Sequence, residues 1–129
     1  MQKRVREPYA PSILVVDDDA QIRKMFRKIL ESVGYFVNEA RTGREAMWAV
    51  EDRFFDLVTL DLELPDADGF EVIRCIRAEL PDIKMLVVSG FMPGSLVNPA
   101  QKPGAISAMN KLAAPKTLLH EVCKLLESR

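Results

Sequence analysis

Cysteine and histidine are scarce in this chain: its 129 residues hold two cysteines and one histidine. Cys75 and Cys123 lie far apart with no Cys-x-x-Cys, so neither a zinc ligand set nor a dithiol centre finds its spacing. Both fall in amphipathic stretches and read as buried or half-buried free thiols in a reducing compartment. A charge of one sign is missing as well. The chain carries 18 basic and 19 acidic residues, a net charge of -1, which gives no bulk electrostatic reason to bind nucleic acid or a membrane. The basic leader Lys3-Arg4-Arg6 is too short to argue for nucleic acid. No apolar run approaches the roughly 18 residues of a membrane span. The leader MQKRVREPYAPS is not followed by the apolar stretch of a secretory signal. These absences point to a cytoplasmic protein. No glycine-rich loop follows the first apolar run, which speaks against a nucleotide-binding fold. The remaining composition, 48% apolar and 29% charged, is that of one globular domain with a real core.

What is present is an alternation of short apolar runs with amphipathic ones. Ser12 to Val16 is a continuous apolar run that stops at Asp17-Asp18-Asp19, as a strand buried on both faces would. Ile22, Met25, Phe26, Ile29, Leu30 and Val33 then recur at helical spacing, and Gly34 is a natural stop. Tyr35-Phe36-Val37 is a second strand. Thr42-Gly43-Arg44-Glu45 is a capping box that opens a second helix. Asp56 to Asp61 is a third strand, and Asp68-Gly69-Phe70-Glu71 opens a helix presenting Phe70, Ile73 and Ile76, with Val72 flanking. Ile83 to Val88, ending at Ser89-Gly90, is a fourth strand. Ala105 to Met109, closed by Asn110-Lys111, is a weaker fifth, and Pro115 opens a last helix. Such alternation implies a parallel sheet with helices on both faces, an α/β doubly wound architecture. Between the fourth and fifth strands, residues 91–104 carry three prolines and two glycines. A helix there is expected to be short, distorted or replaced by a loop. Residues 1–11 read as a flexible leader and 12–129 as the one domain.

In a doubly wound sheet, ligands sit beyond the carboxyl ends of the strands. Those ends carry Asp17, Asp18 and Asp19, then Asp61, Ser89 and Lys111. Three converging carboxylates repel, and without a counter-charge at least one would protonate. A hard divalent cation such as Mg²⁺ resolves this with oxygen ligands and retained waters. Asp61 can then attack phosphorus, Lys111 can supply a point charge to a phosphoryl oxygen, and Ser89 can donate to another.

ILVVDDD at 13–19, LDLELPDADG at 60–69, VVSG at 87–90 and Lys111 resemble the receiver domain of bacterial response regulators, of the chemotaxis-regulator kind. The resemblance runs from about Ser12 to Leu126. It implies a flavodoxin-like, five-stranded sheet of order 2-1-3-4-5. It makes Asp61 the phospho-acceptor, with Lys111 pairing to the phosphoryl group and Ser89 as the hydroxyl switch. Asp17 and Asp18 would be the acidic pair holding Mg²⁺ (Mn²⁺ as a substitute), with Asp61. Glu63 would lend its backbone carbonyl to the same ion. Pro65 matches the family's loop proline, and Gly69 would allow the tight turn into the next helix. The expected donor is a sensor histidine kinase or a phosphotransfer protein, and the signal would pass to a further protein. The chain would catalyse its own phosphorylation and dephosphorylation and turn over no external substrate.

The chain also departs from that pattern. Ala108 stands where the family has an aromatic residue. Leu112 stands where a proline usually follows the lysine, which removes the reason for a cis peptide. Together with residues 91–104, these changes fall on the face the family uses for output. Alternative readings follow from this. One is a phosphorylation-independent interaction module of pseudo-receiver type. Another is an aspartate-nucleophile phosphatase, but Asp17-Asp18-Asp19-Ala20-Gln21 lacks that class's hydroxyl or valine. Asp19 reads best as a helix N-cap. Arg23, Lys24, Arg27 and Lys28 read as a solvated basic strip, His120 as a surface histidine and Trp48 as a partly exposed packing residue.

Overall fold

A computed structural model describes residues 10–90, 106–113 and 115–127. The order is β1 (Ser12–Val16), α1 (Ala20–Glu31), β2 (Phe36–Ala40), α2 (Gly43–Asp52), β3 (Leu57–Asp61), a small hairpin of β4 (Glu63–Leu64) and β5 (Ala67–Asp68), α3 (Gly69–Glu79), β6 (Lys84–Ser89), β7 (Ile106–Asn110) and α4 (Pro115–Glu127). Five strands form one parallel sheet in the order β2-β1-β3-β6-β7. With the hairpin set aside, this is the expected 2-1-3-4-5 order. The chain reverses direction across the sheet between β1 and β3, which opens the crevice where such folds bind ligands.

The continuous apolar runs are buried on both faces because helices cover both. Leu14, Val16, Val58, Leu60, Met85 and Val87 pack toward α2 and α3, against Ala46, Val50, Val72 and Ile76. Ile13, Val15, Leu57, Leu86 and Val88 pack toward α1 and α4, against Phe26, Leu30, Leu118 and Val122. Each of these large side chains contributes roughly 1.5–3 kcal/mol on full burial. Two rigid layers of this kind hold the strand ends in register.

The helix starts follow local chemistry. Asp19 caps α1, its carboxylate accepting from the N–H groups of Gln21 and Ile22. Thr42 caps α2 by accepting from Glu45 N–H at 3.0 Å. Glu45 reaches back one residue further than a capping box requires, to Arg41 N–H. Asp68 caps α3. Gly34 turns the chain out of α1 with φ at 93°, a conformation that only glycine adopts cheaply.

Several expectations need correction. Phe70 is exposed, and Val72 and Ile76 carry the buried face of α3, because residues four apart share a face and Phe70 stands about 200° around the helix from Val72. Met25 and Val33, though on the apolar repeat, are exposed, which leaves Phe26 and Leu30 to anchor α1. Cys75 is exposed. The second strand runs past Val37 to Ala40, its polar residues Asn38 and Glu39 lying on an edge strand. The hairpin around Pro65-Asp66 had no expectation, since two-residue strands show no periodicity. The expectation for residues 91–104 lies outside the described residues. No helix among the described residues is long and apolar enough to cross a membrane.

Candidate functional site

Asp17, Asp61 and Ser89 are the three polar residues, apart from Thr59, that are buried among the described residues. Each sits at or just past the carboxyl end of its strand. A buried carboxylate is costly unless paired, and here both are. Lys111 Nζ lies 3.1 Å from an Asp17 oxygen and 3.1 Å from Asp61 Oδ2. The counter-charge that three carboxylates demand is thus partly supplied by the chain itself. Backbone amides hold the remaining oxygens. Asp19 N–H donates to Asp17 Oδ1 at 2.9 Å, and Glu63 N–H donates to Asp61 Oδ1 at 3.0 Å.

The electrostatics follow from this placement. Burial raises the pKa of Asp17, and the charge of Asp61 adds to the rise. The Asp19 amide and Lys111 offset only part of it. Burial pulls Lys111 the other way, but its hydrogen bonds to Asp61 and Asp17 outweigh that and hold its pKa above the usual lysine value. Lys111 therefore stays charged throughout the physiological range.

Asp17, Asp18 and Asp61 each offer a carboxylate oxygen, and these atoms lie within 4.8 Å of one another. Oxygen-only donors at that spacing suit a hard divalent cation that keeps part of its water shell. Asp17 and Asp61 are buried and Asp18 is exposed, so the cluster is closed below and open above, where water and a phosphoryl group would enter. The chemistry and spacing of the donors fit Mg²⁺. Glu63 follows at once in β4, its side chain exposed, and Glu63 Oε1 comes 4.0 Å from where a Cβ on Gly90 would stand. It therefore lies beside the carboxyl end of β6, next to the residue that follows Ser89.

The loop after β7 replaces a Lys-Pro step with a different device. Asn110 Oδ1 accepts from Leu112 N–H at 2.7 Å, a bond a proline could not make. Lys111 N–H donates to Ser89 O at 2.7 Å and ties β7 to β6 just behind the site. Ala108 is half-buried and packs with the α2–α3 layer.

Three residues with a place around the site did not stand out in the sequence. Arg23 is not part of a solvated strip, since it bonds Glu39 and reaches the backbone of Asp17, while Arg27 stays at the surface and ion-pairs with Glu39 and Glu31. Asp66, at the tip of the hairpin, accepts from Gly43 N–H at 2.8 Å and Arg44 N–H at 3.1 Å. It thereby clamps the loop after Asp61 onto the start of α2. Only spacing across distant segments could have revealed these pairs. His120 and Trp48 are exposed, as read.

Comparison with known proteins adds a family. Residues 13–123 match the response regulator receiver domain. The chain is 32% identical over 117 residues to the alginate biosynthesis transcriptional regulatory protein AlgB of Pseudomonas aeruginosa, covering 91% of this chain and 26% of that protein. The chain therefore spans about a quarter of that relative. It is 29% identical over 114 residues to the response regulator receiver protein CpdR of Brucella abortus, covering 88% of this chain and 95% of that protein. Among solved structures, it superposes on a CheY-like response regulator receiver domain protein from Methanospirillum hungatei with a TM-score of 0.85 and 31% identity, covering 92% and 95% of the two chains.

Proposed function

The chain belongs to the response regulator receiver domain family, and from that premise we propose that it accepts a phosphoryl group from a phosphohistidine onto Asp61 and relays the signal to a partner protein. The observation that carries the reading is the Lys111 ammonium bridging two buried strand-end aspartates at 3.1 Å each, with Asp18 beside them. An ammonium held there is placed to follow charge from a carboxylate onto a phosphoryl oxygen.

In the proposed step, a carboxylate oxygen of Asp61 attacks phosphorus. The bond from phosphorus to the donor imidazole breaks, its electron pair returns to nitrogen, and an acyl phosphate forms. Asp17, Asp18 and Asp61, together with the Glu63 carbonyl, would hold Mg²⁺, which would supply charge neutralisation for the phosphoryl group, and Mn²⁺ would substitute. Lys111 exchanges Asp61 Oδ2 for a phosphoryl oxygen. Ser89 donates its hydroxyl to another. Burial of Asp17 and Asp61 in a low-dielectric floor strengthens each of these contacts. Residues 12–129 constitute the receiver and 1–11 a leader. The donor is a sensor histidine kinase or a phosphotransfer protein, the protein works in the cytoplasm, and no external substrate is turned over.

Incubation with Mg²⁺ and acetyl phosphate followed by intact-mass measurement tests this, with Asp61→Asn as the control. One added phosphoryl group in the native chain and none in the control is expected. No added mass, together with no Mg²⁺ binding, overturns the reading in favour of a phosphorylation-independent interaction module. Ala108 in place of an aromatic is the feature that favours that second reading.

A further inference from the structure

We propose that Arg23 is a positioning residue for the Mg²⁺ site, holding the Asp17–Asp18 peptide from behind while Glu39 holds Arg23. This rests on the receiver reading of the site. Asp17 N–H donates to Ala40 O at 3.1 Å, the last tie to the sheet. Beyond it the strand has ended, and the Asp17 carbonyl accepts instead from Arg23 Nη1 at 2.8 Å. A peptide plane turns as one unit, so fixing that carbonyl fixes the direction in which Asp18 leaves the chain. Asp18 is the exposed member of the carboxylate cluster and the one without a lysine partner among the described residues. It is the ligand with most to lose from a loose backbone.

Arg23 is itself immobilised. Its Nε donates to Glu39 Oε1 at 2.9 Å, and its side chain is only 11% exposed. Glu39 is held in turn by Arg27 Nε at 2.6 Å on its other oxygen. Glu39 lies on β2, next to Ala40, whose carbonyl anchors Asp17. Arg23 therefore closes a ring from α1 through β2 to the metal-binding turn. Lys24 and Lys28 on the same helix are exposed, so the ring is a property of the arginines and not of the helix's charge. Groups of this kind, bonded to the backbone or side chains of metal ligands, tune affinity through orientation.

Charge alone makes the opposite prediction, which makes the proposal testable. A guanidinium near a cation site repels the cation, so deleting it would tighten Mg²⁺ binding. If Arg23 acts by position, deleting it loosens binding. Calorimetric titration of Mg²⁺ into the native chain, R23M and R23K, with melting curves recorded without Mg²⁺, separates the two. The expected result is an affinity about tenfold weaker in R23M, with R23K, which keeps a donor but not the fork, falling in between. Equal or tighter binding by R23M overturns the proposal. So does R23K that is as weak as R23M, because a donor at this place would then be irrelevant. Should R23M not fold, R23Q, which is neutral and too short to reach the carbonyl, carries the same two opposed expectations. If the native chain binds no Mg²⁺, the receiver reading itself fails, an outcome distinct from the failure of Arg23's role.

Discussion

The two halves of the sheet's carboxyl end are built differently. On the side of β1 and β3, Asp17 and Asp61 are each held by Lys111 and by a backbone amide. The loop after Asp61 is a hairpin clamped by Asp66 to the start of α2. On the side of β6 and β7, Ser89 is buried at a strand end, but Ala108 offers a methyl group where an aromatic side chain is expected, and Leu112 is 87% exposed. The half proposed to accept is braced from several directions, while the half expected to transmit lacks two of the parts that the resemblance to receiver domains implies. On the proposed reading, acceptance and transmission are separable in this chain. Three substitutions test that separation, taken from the largest expected effect to the smallest.

Gly69→Ala attacks the brace on the acceptor side. Gly69 does not need a left-handed backbone. Its role is space, since a Cβ there would stand 2.7 Å from the Leu62 carbonyl oxygen and 2.8 Å from Leu62 Cα. Those atoms are backbone and cannot rotate away, so the residue directly after Asp61 must shift. The expected cost is about 3 kcal/mol, at the upper end for overpacking, read as a lower midpoint in urea. Phosphorylation by acetyl phosphate should slow along with it. A stable variant with a native rate would show that the loop is not held by this contact.

Asp17→Asn separates stability from function within the same half. Burial raises the pKa of Asp17, so the folded chain keeps this proton to higher pH than the unfolded chain does. The native state binds more protons just above the usual value of 3.8, and the group's contribution to stability therefore falls as pH rises through that window. At neutral pH the ionised form is a burden that Asn lacks. The variant should melt higher than the native chain at pH 7 without Mg²⁺, and the gap should close on acidification below that value. Mg²⁺ affinity should fall by at least the 10–100-fold that loss of an outer partner costs. A lower melting temperature at pH 7 would mean that the Lys111 pair outweighs the cost of burial.

How far these parts are legible in the sequence follows from the range over which each acts. The strands could be read because buried parallel strands are continuous apolar runs, the order of the sheet came only from the resemblance to receiver domains, and Asp17, Asp61, Ser89 and Lys111 could be read because each ends such a run. Helix faces were read less well. Phe70 sits in a hydrophobic pattern yet points outward, because the buried face runs through Gly69, Val72 and Ile76 and Phe70 stands about 200° around α3 from Val72. The ring of Arg23, Glu39 and Arg27 was missed because it joins α1 to β2 through pairs 12 to 16 residues apart. A charged helix face looks the same in sequence whether its arginines are solvated or turned inward.

Ala108→Tyr addresses the other half and should do least to acceptance. Ala108 pairs in register with Val87, two residues before Ser89, and its methyl group packs into the α2–α3 layer rather than toward the aspartates. A phenol added there must displace neighbours in that layer, at about 1–3 kcal/mol if they cannot make room. Asp17, Asp61 and Lys111 keep every contact they have. The rate of phosphorylation by acetyl phosphate should therefore stay within about threefold of native, roughly 0.6 kcal/mol in the barrier, even as the melting temperature falls. A tenfold change in that rate would show that the β7 methyl reaches the acceptor through Ser89. The two halves would then form a single coupled device.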